Sequence, residues 1–397
     1  MINEEMYSLG NKRSVIREIF EYSKSRAKEI GSENVYDFSI GNPSVSPPPE
    51  VEKAIRELME EESPTALHGY TSAQGDPTVR RAIAEDLNKR HGTHLSADDL
   101  YMTCGAAASL AITLRALINP GDECIVFAPF FTEYTVFIKN AGASVVISEP
   151  EERTFSISLT DLEARITEKT KAVIINSPNN PSGVVYSEDT IKNVAELLQR
   201  KSEELGTQIY LIADEPYREL VYDGVHVPYL MNYYDRTVVC YSYSKALSLP
   251  GERIGYVAVN PDMPDARKVY LAICGAGRSL GYVCAPSLLQ RVVARTVGIS
   301  VDVGVYKENR DLLISALTSY GYECVRPDGA FYLFVKALEP DAYAFYERAK
   351  GMNLLLVPCD DFGVKGYVRI AYCVDKSLIE RSLPAFKALK KFYETAK

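Results

Sequence analysis

The sequence predicts an α/β chain, with a large domain on a mainly parallel sheet flanked by helices and a smaller α+β domain after it. Two observations carry this. Between Tyr101 and Val259, short apolar runs rich in β-branched residues alternate with longer amphipathic stretches. Runs apolar on both sides suit strands buried on both faces, which belong to parallel sheets covered by helices. After about residue 288 the pattern changes to helical runs around short strands. The expected division is 41–287 for the large domain and 288–397 for the small one, with 1–40 joining the small one.

The first element reads as a helix, with Val15, Ile16, Ile19, Phe20, Ala27 and Ile30 at helical spacing, Ser14 as N-cap and Gly31 just past the end. Asn42-Pro43-Ser44 and Pro47-Pro48-Pro49 break the chain before a second helix near Glu50. Cys124–Ala128, Val145–Ile147, Ala172–Ile175, Ile209–Ala213 and Val238–Tyr241 read as buried strands, and Ile191–Leu205 as a helix. Farther on, Val301–Ser319 reads as one helical run, Gly329–Val335 and Tyr367–Ala371 as strands, and the stretch holding Ile379, Leu383, Phe386, Leu389 and Phe392 as a terminal helix.

Composition excludes several functions. The 397 residues are 46% hydrophobic and 24% charged, which suits a folded chain, and a net charge of −9 disfavours nucleic acid and anionic lipid as partners. No stretch approaches the ~18 apolar residues that cross a bilayer, and Met1–Met6 lacks the basic flank of a secretory signal. The eight cysteines form no C-x-x-C pair, and none of the four histidines clusters with them, so no metal site is expected. Reduced core thiols point to a cytoplasmic protein.

In a parallel sheet, ligands sit at the carboxyl ends of the strands. Asp214 follows one apolar run, and an acid there is costly unless partnered. Lys245 follows another, in Ser242-Tyr-Ser244-Lys245, with Arg253 downstream. A desolvated lysine loses its proton more readily and forms imines with carbonyl groups. Small residues at Gly105-Ala106-Ala107 mark a strand-to-helix junction whose free N–H groups suit an anion. Cys274–Gly281 offers glycines, but their spacing misses the dinucleotide fingerprint by one residue.

Taken together, Asn179-Asn180-Pro181-Ser182-Gly183, Ala213-Asp214-Glu215-Pro216-Tyr217 and Ser242-Tyr-Ser244-Lys245 with Arg253 resemble a pyridoxal-phosphate aminotransferase. The family is the aspartate aminotransferase superfamily (fold type one, class I/II), and the likeness runs from about Asp37 to Ala371. It implies pyridoxal 5'-phosphate as cofactor, bound covalently by Lys245, with Asp214 on the pyridine nitrogen and Tyr217 and Asn180 on the ring's 3-oxygen. It also implies a phosphate held by the N–H groups of Ala106 and Ala107 beside Gly105, by the Ser242 and Ser244 hydroxyls and by Arg253. Phe131 matches the aromatic that stacks on the ring, where relatives often carry Trp or Tyr. A polar side chain that relatives often place near Ala107 is missing. Gly41 and Arg369 match the substrate-carboxylate site, and strand alternation turns Arg369 away from Val368 and Ile370, so that it can leave the core. Tyr70 matches a tyrosine that reaches the partner subunit's phosphate, which implies a homodimer with shared active sites. Arg278 lies near where dicarboxylate-specific relatives place an arginine for the distal carboxylate.

The expected activity is ping-pong transfer of an amino group from an L-amino acid, aspartate-like first, to a 2-keto acid such as 2-oxoglutarate. Aromatic donors are the next expectation, and β-elimination from a cysteine-type substrate, as in a carbon–sulfur lyase, is the rival on the same scaffold. A regulator built on this fold carries a DNA-binding domain ahead of it, whereas 40 acidic-to-neutral residues precede Gly41.

Overall fold

Strict alternation along the central strands sorts their side chains into two cores, one on each face of a single large sheet. The computed structural model describes residues 2–11 and 14–395. Its strands are β1 Tyr36–Asp37, β2 Leu100–Thr103, β3 Glu123–Phe127, β4 Ser144–Ser148, β5 Thr170–Asn176, β6 Tyr210–Asp214 and β7 Thr237–Ser242. They continue with β8 Gly255–Val259, β9 Cys324–Val325, β10 Tyr332–Lys336, β11 Leu354–Leu355, β12 Val357–Pro358 and β13 Tyr367–Ala371. Seven strands form the large sheet in the order β2-β8-β7-β6-β5-β3-β4. Only β8 runs antiparallel to its neighbours β2 and β7, and the other pairs are parallel.

Cys124, Val126, Ile174, Ile212 and Cys240 point into one core with the helix Ala106–Leu117, while Ile125, Val173, Leu211, Ala213 and Val239 point into the other. Both cores exclude water, which is why these strands read as continuous apolar runs. The helix Val15–Ile30 has the expected caps, Ser14 and Gly31.

A four-stranded antiparallel sheet, β12-β13-β10-β9, carries a third core around Leu333, Val335, Val368 and Ile370. The N-terminal β1 pairs with β11, so the start of the chain joins the C-terminal half.

Three expectations for this half change. The run from Val301 becomes helical only at Gly304–Ser319, because Val301 N–H donates to Ala246 O (2.8 Å) and Asp302 Oδ1, ahead of the helix, accepts from Gly304 N–H (2.8 Å). The strand expected from Gly329 starts at Tyr332: Gly329 and Ala330 N–H donate to Gly183 O (3.0 Å) and Leu220 O (2.8 Å), and Ala330 has φ +56°. The helix Ser287–Arg295 lies where the sequence showed only a change of character. As expected, the Cys274–Gly281 glycines form no phosphate loop; they lie mostly in the helix Ala266–Ser279, where Gly277 packs on the Tyr101 hydroxyl.

Candidate active site

The carboxyl edge of the large sheet sets the floor of the site. Asn176 ends β5 beside Asp214 at the end of β6. Its side chain donates to Asp214 O (2.9 Å) and accepts from Asn180 N–H (2.8 Å), so one residue fastens the 177–183 turn to the neighbouring strand. Asp214 is 4% exposed. Its Oδ2 accepts from the Tyr134 hydroxyl, and its Oδ1 has no partner. Burial raises its pKa to about 7; the Tyr134 hydrogen bond opposes this and the neighbouring Glu215 adds to it. An uncommitted carboxylate oxygen in a dry site is costly until a donor reaches it.

Ser242 ends β7 and caps the short helix Tyr243–Ala246 by accepting from Ser244 N–H (3.2 Å). That turn aims Lys245 inward, where Nζ donates to Gly41 O (2.6 Å) and lies 5.3 Å from the Phe331 ring centre. Desolvation lowers the Lys245 pKa to about 8, with Arg253 and Arg369 pushing the same way and Cys373 opposing. Near neutral pH a useful fraction of the amine is therefore unprotonated and nucleophilic.

Beside it, Gly105 has φ +86°, and a Cβ there would stand 2.9 Å from Arg253 Nη2. Glycine is thus needed both for its backbone conformation and for space. The helix Ala106–Leu117 begins here without a side-chain cap, so its first N–H groups are open to an anion. Arg253 Nη1 donates to Ser244 Oγ (3.3 Å) and Pro250 O (3.0 Å), and the Ser242 and Ser244 hydroxyls lie 2.8 Å apart.

The opposite wall comes from the small sheet. Arg369 on β13 donates to Asn180 Oδ1 (3.0 Å) and Ser39 O (2.6 Å), and its Nε is buried without a partner. Alternation does turn Arg369 from the core of Val368 and Ile370, but it is only 2% exposed. The expectation that it leaves the core is corrected in this respect: the other face of the small sheet packs toward the large one. Its guanidinium lies 4.5 Å from the Tyr332 ring centre, and the Tyr217 and Tyr332 hydroxyls are 3.0 Å apart. Phe131, half-buried, meets Tyr134 edge-on at 5.7 Å.

Gly41, Gly105, Ala106, Asn180, Asp214, Tyr217, Ser242, Ser244, Lys245, Arg253 and Arg369 thus line or adjoin one site, with Phe131 beside it. Ala107, one residue into the helix, is exposed. Two residues stand apart. Tyr70 is 97% exposed, and Arg278 is exposed on the last turn of its helix. Sequence reasoning missed Tyr134 and Tyr332. Tyr134 sits in the first turn of the helix Glu133–Ala141, just after Phe131, and that closeness in sequence was the usable signal for the first; for Tyr332 there was none beyond its place in a strand.

Residues 33–386 match the family model for aminotransferase class I and II. The chain belongs to this aminotransferase family. It is 32% identical to an aspartate aminotransferase of Thermotoga maritima over 93% of this chain and 94% of that one. An aspartate/prephenate aminotransferase of Thermus thermophilus is 29% identical, covering 88% and 89%. A solved amino transferase structure from Eubacterium rectale superposes with a TM-score of 0.97 at 58% identity, over 99% of each chain. This aminotransferase uses the family's coenzyme, pyridoxal 5'-phosphate. The residues present fit it: Asp214 Oδ1 lacks a donor, Lys245 is desolvated, and Gly105, the helix start and Arg253 form an anion cradle. Among the described residues no cluster suits a metal ion, and no helix is long and apolar enough to cross a membrane.

Proposed function

We propose that this aminotransferase moves the amino group of an aspartate-like L-amino acid to a 2-keto acid such as 2-oxoglutarate, in alternating half-reactions. The observation that carries the reading is a desolvated Lys245 amine that donates to Gly41 O, in a chain whose Asp214 Oδ1 and Arg369 Nε are both buried without a partner. Pyridoxal phosphate, when bound, supplies an electron sink for negative charge developing at the substrate's Cα.

The chain's own groups do the rest. Asp214 Oδ1 would accept from the pyridine N–H and keep that nitrogen charged. Tyr217 would donate to the ring's 3-oxygen, aided by the Asn180 amide, and Phe131 would pack on the ring. The Ala106 and Ala107 N–H groups, Ser242, Ser244 and Arg253 would hold the phosphate. Arg369 clamps the substrate α-carboxylate with two parallel hydrogen bonds, a geometry lysine lacks. Gly41 leaves room beside that carboxylate. Lys245 Nζ then takes the proton from Cα, a role worth about 10²–10⁴-fold for a positioned base.

The exposure of Tyr70 supports a homodimer in which this ring reaches the partner's phosphate, and Arg278 serves a distal carboxylate by the same route. The pairing of β1 with β11 supports grouping 1–40 with 288–397 around a coenzyme domain of 41–287. Eight unpaired cysteines fit a reducing, cytoplasmic setting. Aromatic rings at Phe331 and Tyr332 favour aromatic donors as the second reading.

A donor panel against 2-oxoglutarate and pyruvate, scored by kcat/KM, tests this. Aspartate should exceed phenylalanine, and Arg278→Ala should shrink that preference; an unchanged ratio removes Arg278 from the site. Repeated ammonia release from a donor without any acceptor would make the enzyme a lyase instead.

A further inference from the structure

Tyr332 touches three parts of the site that the proposed chemistry treats separately. Its hydroxyl lies 3.0 Å from the Tyr217 hydroxyl. Its ring lies under the Arg369 guanidinium at 4.5 Å. Its hydroxyl also fills the space beside Gly41 so closely that a Cβ at position 41 would stand 1.9 Å away. The side chain is 3% exposed, and β10 fixes its backbone opposite Ala371.

From these contacts we infer that Tyr332 is a positioning residue acting at both ends of the site: through Tyr217 on the coenzyme and through Arg369 on the substrate carboxylate. The inference rests on the coenzyme site proposed above.

Each phenol has one proton to donate. If Tyr217 gives its proton to the coenzyme's ring oxygen, the Tyr217–Tyr332 bond must run from Tyr332 to Tyr217. A hydroxyl that accepts one hydrogen bond becomes a better donor in the next, and a low dielectric strengthens the chain. Stronger donation favours the ionised ring oxygen. The midpoint of the pH-dependent visible absorbance change is thereby held down. At the other end, the Tyr332 ring supports a guanidinium whose Nη1 and Nη2 bond to Asn180 and Ser39 and whose Nε has no partner, so stacking helps fix the plane offered to a carboxylate.

The two contacts use different parts of one side chain, so two substitutions separate them. Tyr332→Phe keeps the ring and removes the hydroxyl. In the holoenzyme the absorbance midpoint should rise by about half a pH unit, with KM for the best donor staying within about twofold of wild type. Tyr332→Leu removes the ring as well, and KM for that donor should rise about tenfold.

A Tyr332→Phe holoenzyme with a normal visible band and an unshifted midpoint overturns the coenzyme arm. A Tyr332→Leu enzyme with wild-type KM overturns the carboxylate arm. A wild-type chain that gains no visible band with pyridoxal phosphate brings down the coenzyme-site reading itself, a separate and recognisable failure.

Discussion

Asp214 and Glu215 are adjacent acids, both buried at the end of β6, yet they face opposite sides of the sheet and live differently. On one side, Asp214 meets a single neutral donor, Tyr134, and keeps one oxygen uncommitted. On the other, Glu215 is held by both arms of Arg218, which also donates to Val227 O (3.0 Å) and Pro228 O (2.9 Å) and lies over the Tyr229 ring. His91 stacks on that ring at 4.2 Å, and burial lowers its pKa to about 3, so it adds no charge there near neutral pH. Glu215 N–H continues the strand ladder to Cys240 O (2.9 Å). A buried acid whose two oxygens are both answered within the chain serves the fold. One left with an unanswered oxygen is free to serve a ligand.

The largest expected effect breaks the ligand side of this contrast. Asp214→Asn keeps the shape and the Tyr134 contact but removes the charge that, on the proposed reading, holds a proton on the pyridine nitrogen. Removing one preorganised electrostatic group costs about 10³-fold in kcat, or about 4 kcal/mol. Steady-state kinetics at saturating coenzyme measure this, and a loss under tenfold would assign Asp214 to the fold instead.

A smaller effect should appear on the other face. Glu215→Gln leaves Arg218 buried and charged without its partner, and breaking such a pair destabilises by about 3 kcal/mol. Urea denaturation of the variant should show this loss, while kcat stays within about threefold of wild type. A rate loss as deep as that of Asp214→Asn would erase the difference between the two acids.

The residue types that carry this contrast were legible in the sequence, but their surroundings were not. Asp214, Lys245 and the Gly105 junction stand at the ends of apolar runs, and a parallel sheet gathers strand ends whatever lies between them. The caps at Ser14 and Gly31 depend on local hydrogen bonds, so spacing sufficed. Tyr332 meets Tyr217 across 115 residues, and no local pattern records such a contact. The burial of Arg369 was equally hidden. Alternation gives the face of a strand, but what covers that face depends on how two sheets meet. The two-residue strands β9, β11 and β12 are likewise too short to show a period.

The smallest expected effect sharpens the contrast through pH. Without coenzyme, the Asp214 carboxyl titrates at about 7 in the folded chain, against an ordinary 3.8. Between those values the folded state holds a proton that the unfolded state has released. The Asp214 contribution to the stability of the coenzyme-free chain therefore falls as pH rises from about 4 to about 7, by up to about 1.4 kcal/mol per unit. On the proposed reading coenzyme reverses the cause, since a pyridine N–H on Oδ1 would favour the ionised carboxylate. Urea midpoints at pH 5 and pH 7 should change less favourably with pH in the coenzyme-free wild type than in Asp214→Asn, where the buried neutral His91 makes stability rise with pH. Saturating pyridoxal phosphate should bring the wild-type pH dependence to that of Asp214→Asn. Equal slopes in the coenzyme-free wild type and Asp214→Asn would show that Asp214 enters the folded state already ionised, and a donor other than the coenzyme would then have to account for its second oxygen.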